Sequence, residues 1–216
     1  MYPDTYRDGP VASRPLSRDG DDPAPSKAKH PYLSSMAVRK QRNKDGAVYF
    51  ATFTCYQWIP LFQLLDAYDL VYSWMHVAYR KAYRFLGYAI MPNHVHFLIY
   101  VPEGGAIKTL LGNGKRFKAY ELVQGLMSAG RHDVLLQLQQ GLRPSDVARG
   151  QKHRVFATST DLVECFSGKM IEEKLRYIHA NPVSKRWMLA EDAVEYPHSS
   201  FAFCVRGEQR AAPLTA

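Results

Sequence analysis

The sequence predicts an α+β fold: a ferredoxin-like (RRM-like) antiparallel-leaning sheet with helices packed on one face. Two observations carry this. Runs rich in β-forming residues interleave with runs of helical periodicity in the order β-α-β-β-α-β, followed by a further helix. Hydrophobic residues make up 46% of the 216 and aromatics 12%, enough for one well-buried core and too many for wholesale disorder. No internal repeat is evident.

The first strand is read at 48–55, where Val48, Tyr49, Phe50, Thr52, Phe53 and Thr54 cluster. A helix over 64–84 follows from Leu65, Tyr68, Val71, Tyr72, Met75, Ala78 and Tyr79 at helical spacing. Two apolar strands, 85–91 and 94–101, are joined by Met91-Pro92-Asn93, whose proline and asparagine favour a hairpin. A second helix is expected over 106–126, with a possible break at Gly112-Asn113-Gly114. Leu135, Leu136 and Leu138 suggest a short helix, 141–150 reads as loop, and 154–157 as the last strand. Ser167 stands where an N-cap belongs, before a helix carrying Met170, Ile171, Leu175 and Ile178. Pro182 disfavours helical geometry at Asn181, so that helix is expected to end there.

These elements define a single domain over 43–206. Residues 1–42 hold six of the 13 prolines and eight basic residues with almost no apolar period, which reads as a flexible basic arm. Residues 207–216 read as a C-terminal tail.

Charge nominates the partner class. Lys and Arg total 28 against 20 acidic residues, a net charge of +8 that favours polyanions such as nucleic acid. The three cysteines, Cys55, Cys165 and Cys204, form neither a disulfide framework nor a C-x-x-C knuckle, which fits a reducing cytoplasm. With no apolar leader and no run of about 18 apolar residues, membrane spanning and secretion are not expected.

Chemistry concentrates in two segments. In Asn93-His94-Val95-His96-Phe97, strand alternation points His94 and His96 to one face, where two neutral imidazoles can share one metal ion. Alone, a His-x-His pair is as compatible with ordinary strand histidines. In Lys174-Leu175-Arg176-Tyr177-Ile178-His179-Ala180-Asn181, Tyr177 and Asn181 are one helical turn apart, with Lys174 on the same stripe. That face offers a phenol able to act as nucleophile, an amide oxygen able to serve as third metal ligand, and a cation. His179 falls off this stripe and reads as structural.

Met91-Pro92-Asn93-His94-Val95-His96-Phe97-Leu98-Ile99, Tyr177-Ile178-His179-Ala180-Asn181-Pro182-Val183 and Tyr196-Pro197-His198-Ser199-Ser200-Phe201 together resemble the REP-associated tyrosine transposases. These belong to the HUH single-tyrosine transposases, single-strand nucleases of ferredoxin-like fold, and the resemblance spans 48–203. It implies Tyr177 as catalytic nucleophile, with His94, His96 and Asn181 as metal ligands. It also implies cleavage and rejoining of single-stranded DNA at repetitive palindromic hairpins through a 5′-phosphotyrosine. The expected cofactor is a divalent metal, Mg²⁺ or Mn²⁺; the expected partner is single-stranded hairpin DNA, bound by a monomer or homodimer. No nucleotide cofactor is expected, because Thr109 stands where a phosphate-binding loop ending Gly114-Lys115 needs glycine.

Substrate grip is assigned to basic residues interleaved with aromatics: Lys108, Lys115, Arg116, Lys118 and Tyr120, then Lys174, Lys185, Arg186 and Trp187. Trp58 and Phe62 read as sealing the core edge. The pattern departs from the family at His198, where tryptophan is usual, and at Ser184-Lys185-Arg186-Trp187; His198 reads as a surface loop histidine. Two alternatives stand: a non-catalytic single-stranded nucleic-acid-binding protein on the same fold, and a zinc hydrolase, which lacks an H-x-x-x-H pair or adjacent glutamate base.

Overall fold

The computed structural model describes residues 46–209 and 211–215, so the N-terminal arm lies outside the described residues. Strands β1 (Ala47–Cys55), β2 (Arg84–Ile90), β3 (His94–Val101) and β4 (Phe156–Cys165) form one sheet in the order β2-β3-β1-β4. Every neighbouring pair is antiparallel. That is the ferredoxin-like order, with β1 and β3 central.

Alternation assigns the faces. Tyr49, Ala51, Phe53 and Cys55 of β1 join Val95, Phe97 and Ile99 of β3 in the larger core. That core is closed by α2 (Asp69–Arg80), α3 (Ile107–Ser128) and α4 (His132–Gln140), through residues such as Val71, Trp74, Met75, Leu122, Leu126 and Leu138. The opposite face carries Phe50, Ala89 and Leu98, covered by Ile178, Leu175 and Ile171 of α6 (Gly168–Ala180). The two crossover helices α2 and α3 therefore occupy one face as expected, and the additional helix covers the other. With both faces covered, β3 is apolar at nearly every position and 0–3% exposed at seven described sites.

Helix α6 comes close to the sheet because β2 offers Gly87: a Cβ there would collide with the Leu175 side chain. Its start is set by Ser167, whose hydroxyl accepts from the Met170 amide at 3.3 Å, and Asn181 caps its end. The helix that sets the site is thus fixed at both ends and seated in the middle.

Several boundaries differ from expectation. The helix predicted over 64–84 is two pieces, α1 (Leu61–Leu64) and α2, separated by a turn with Asp66 at φ 47° and terminated where Ala82 adopts φ 64°. Helix α3 runs unbroken through Gly112-Asn113-Gly114, because Gly114 is where it meets Trp74 and no Cβ would fit. The predicted loop contains α5 (Pro144–Val147), closed by the Arg143–Asp146 pair. Strand β4 reaches Cys165, well beyond 157; as an edge strand its middle is polar and partly exposed, which hid it.

After α7 (Phe201–Arg206), residues near the C-terminus lie along β2. Leu214 bridges Phe85, the Thr215 amide donates to the Phe85 carbonyl at 3.2 Å, and Ala212 is buried. Among the described residues no helix is long and apolar enough to cross a membrane.

Candidate active site

On the α6 side of β3, His94 and His96 are each 3% exposed, and their Nε2 atoms face one another at 3.1 Å. Their outer nitrogens are anchored. The Asn93 amide donates to the Trp58 carbonyl at 2.7 Å, leaving its Oδ1 to accept from His94 Nδ1 at 2.7 Å. His94 Nε2 is therefore a bare lone pair. His96 Nδ1 lies 2.7 Å from the Thr52 hydroxyl, which pairs with it across the strands because Thr52 is in register with His96.

The threonine hydroxyl works both ways. When it donates, His96 Nε2 carries the proton and donates to His94. When it accepts, His96 Nε2 is a second lone pair, 3.1 Å from that of His94, free to accept from the Asn181 amide nitrogen at 3.0 Å or to share a cation with His94. Burial, then the nearby Arg186 charge, lowers His94 from 6.5 to about 4. Burial, then His94 and Lys174, holds His96 well below its ordinary value. Both imidazoles are neutral at physiological pH, the form that binds metals.

Helix α6 supplies the rest. The Asn181 Nδ2 lies 3.0 Å from His96 Nε2, within donating reach, and its Oδ1 is buried without a hydrogen-bond partner; a half-turn of the amide exchanges the two atoms. The Tyr177 ring stands edge-on to His96 at 5.3 Å and to Phe50 at 5.8 Å, while Phe50 stacks on His96 at 5.7 Å. Lys174 Nζ lies 4.8 Å over the Phe50 ring. Tyr177 is 42% exposed, a phenol at the rim of the buried imidazole pair. Burial raises its pKa, opposed by the Asn181 amide donating toward the phenol oxygen, reinforced by Asp161 and opposed again by Arg186, so the resting phenol holds its proton.

Among the described residues no three His, Cys, Asp or Glu side chains gather into a metal cluster. The donor set available is two imidazoles and the orphaned amide oxygen of Asn181. Converging lone pairs and an unsatisfied buried oxygen match what a divalent cation would use, leaving further positions for substrate oxygens.

The structure thus brings together His94, His96, Tyr177, Asn181 and Lys174, and adds Arg186 and Trp187 from the loop after α6. Trp187 packs against His94 at 5.4 Å. Lys185 is exposed on that loop. The α3 residues are elsewhere, on the helix closing the opposite core. Lys108 and Arg116 are exposed there, as is Tyr120. Lys115 is pinned to the Ala157 carbonyl at 2.8 Å and to Thr160, and burial lowers its pKa. Lys118 is 2% exposed over Trp74 and Phe53, so it cannot meet a phosphate in solvent.

Other expectations are corrected. Phe62 is buried, but Trp58 is 49% exposed and lies edge-on to His94 at 5.5 Å, so it lines the site instead of sealing the core. His198 lies in a turn as expected but is half-buried and packed instead of free at the surface: it stacks on Tyr68 at 3.6 Å and bonds the Tyr72 hydroxyl at 3.0 Å. His179 is structural as expected, buried with Nε2 2.7 Å from the Ser200 hydroxyl. Thr52 and Asn93 were missed as site residues. Asn93 was legible as a polar turn residue adjoining His94; Thr52 depends on register across 44 residues.

The fold and site define an antiparallel α+β sheet bearing a His-x-His strand beneath a tyrosine-bearing helix. No protein-family model matches the chain, and no curated protein matches it. Among solved structures, the fold is similar to that of a REP-associated tyrosine transposase bound to a REP hairpin. That likeness has a TM-score of 0.54 at 16% identity, covering 84% of this chain and 92% of that one. A second structure, described as a candidate transposase from Deinococcus radiodurans R1, aligns at a TM-score of 0.37 and 16% identity. It covers 65% of this chain and 95% of that one, and no argument rests on it.

Proposed function

We propose that this protein is a transposase acting on single-stranded hairpin DNA, cleaving and rejoining it through a covalent phosphotyrosine at Tyr177. The observation that carries the reading is convergence. Tyr177 and Asn181 meet His94 and His96 from an element some 80 residues further along the chain, and the Asn181 amide nitrogen reaches His96 Nε2 at 3.0 Å.

The Tyr177 oxygen attacks a backbone phosphorus. The new O–P bond forms as the bond to the 3′ oxygen breaks, leaving a 5′-phosphotyrosine and a free 3′-hydroxyl. The phenolic proton is lost to water at the rim, and the departing 3′ oxygen takes one up. The adduct keeps the phosphodiester energy, so attack by a 3′-hydroxyl rejoins strands without a nucleotide cofactor.

A divalent cation, Mg²⁺ or Mn²⁺, would be held by Nε2 of His94 and His96 and by the Asn181 amide oxygen, and when bound polarises the scissile phosphate. Asn93 fixes the His94 tautomer for that purpose, and Thr52, by accepting from His96 Nδ1, would leave the His96 Nε2 lone pair free for the ion. Lys174 and Arg186 offset the charge developing on the phosphate. The likeness to a transposase bound to a REP hairpin supports hairpin DNA as the substrate class.

The test is incubation with 5′- and 3′-labelled single-stranded hairpins in Mn²⁺, Mg²⁺ or EDTA, read on a denaturing gel and by mass spectrometry. The expected result is a metal-dependent adduct at Tyr177 that Tyr177→Phe abolishes while hairpin binding survives. An adduct persisting in Tyr177→Phe would overturn the tyrosine assignment. Binding without any adduct, across metals and hairpins, would replace the enzyme with a non-catalytic single-strand binder on the same fold.

A further inference from the structure

Beside the buried donor set lie two tryptophans that the cleavage chemistry leaves unused, bridged by Arg186. Trp58 is 49% exposed, and Arg186 lies 4.8 Å over its ring and 5.5 Å over that of Trp187. Both tryptophans touch His94, at 5.5 and 5.4 Å. Arg186 makes no ion pair among the described residues, so its charge awaits an anion.

The backbone holds this group at a cost. Gln57 and Trp58 take φ values of 50° and 60°, a left-handed pair that disfavours side chains other than glycine. The pair is kept in place by Asn93 donating to the Trp58 carbonyl at 2.7 Å and by Gln137 donating to the Gln57 side chain at 2.8 Å. Trp187 is held as firmly, in a loop closed by bonds from the Trp187 and Met188 amides to the Ser184 carbonyl and from the Leu189 amide to that of Pro182. Asn93 is shared: one end of its amide fixes Trp58 and the other fixes His94.

From this we infer that Trp58, Arg186 and Trp187 form a nucleobase clamp, in which an unpaired base next to the phosphate attacked by Tyr177 stacks on Trp58. Arg186 spans the stack and that strand's phosphate. The inference rests on the proposed function and deepens it, naming the residues that register the strand. Single strands are gripped by aromatic faces and guanidinium groups, and a planar guanidinium both stacks and pairs with phosphate. Asn93 is then a positioning residue, holding the base platform and the His94 imidazole in one fixed relation.

The test uses the full chain carrying Tyr177→Phe, so that covalent capture does not intrude. Anisotropy is read on labelled hairpins whose single-stranded flank is intact or abasic at one position at a time. Trp58→Ala is expected to weaken binding of the intact strand about tenfold. At one flank position the abasic strand is expected to lose the same factor, with no further loss from Trp58→Ala. Trp58→Phe retains most of the affinity, and tryptophan fluorescence of the unsubstituted ring is quenched on binding. Independent, additive losses at every abasic position, or no quenching, would overturn the clamp while leaving the transposase reading intact. Absence of hairpin binding by the chain with Trp58 in place would overturn both. If Trp58→Ala fails to fold, Trp58→Phe and the quenching decide.

Discussion

Replacing Lys118 by methionine is expected to stabilise the protein. Lys118 is 2% exposed, its Nζ has no hydrogen-bond partner, and burial drives its pKa well below the ordinary lysine value. A buried polar group left unsatisfied costs about 1–3 kcal/mol. The opposing term is the cation–π contact with Trp74 at 4.1 Å and Phe53 at 5.2 Å, roughly 2 kcal/mol when desolvated and available only to the charged amine. Methionine keeps the length of the side chain, has no proton to place, and makes its own sulfur contact with Trp74, about 0.3–1.5 kcal/mol. The net gain at neutral pH is on the order of 1–2 kcal/mol, or about 2–8 °C in Tm for a chain of this size.

The sign with pH follows from the depressed value. Between the folded pKa and the unfolded value near 10.5, the unfolded chain binds more protons, so the stability of the parent rises with pH. Lys118→Met lacks that rise, and its advantage is expected to shrink as pH climbs from 7 toward 10. Other titrating groups cancel in the difference between the two proteins. Urea melts at several pH values provide the measurement. A variant less stable at pH 7, or an advantage flat in pH, would refute the argument. Hairpin binding is expected to be unchanged, since this amine faces the core.

Two further changes probe the site and its support. Thr52→Val keeps shape but removes the 2.7 Å bond to His96 Nδ1; it is expected to cost about 1–3 kcal/mol and to weaken Mn²⁺ binding 10- to 100-fold by calorimetry. Unchanged cation affinity would show that the tautomer of His96 is not what readies its Nε2. Gly114→Ala drives a Cβ into the Trp74 indole, so overpacking of about 1–3 kcal/mol is expected to exceed the roughly 1 kcal/mol helix-propensity gain and lower Tm. A raised Tm would mean that Trp74 yields.

Strand alternation made His94 and His96 legible as neighbours on one face, and helical spacing did the same for Tyr177, Asn181 and Lys174. Both patterns are local and survive any tertiary arrangement. What remained hidden depends on pairing at a distance. Thr52 matters only because β1 and β3 align it with His96. Lys118 reads as a solvated helix cation until α3 is seen to turn it under Trp74. Trp58 reads as core because it is large and apolar, and only the left-handed turn that carries it reveals that it is held outward. The middle of β4 failed for a related reason: on a sheet edge its polar residues meet solvent, so no apolar period marks it.

The exposure pattern bears on how a strand reaches the chemistry. His94 and His96 are 3% exposed beneath α6, whereas Tyr177 is 42% and Trp58 49% exposed at the rim. In the proposed reaction a phosphate would therefore approach from the rim and meet the phenol and the indole before the imidazole nitrogens. In the proposed reading, residues at the rim can change which strand is held without disturbing the imidazoles, which are bonded from behind by Thr52 and Asn93. Asn93 is the exception, since the same amide fixes Trp58. A change there is expected to alter strand register and cation affinity together, whereas Trp58→Ala alters only the first and Thr52→Val only the second.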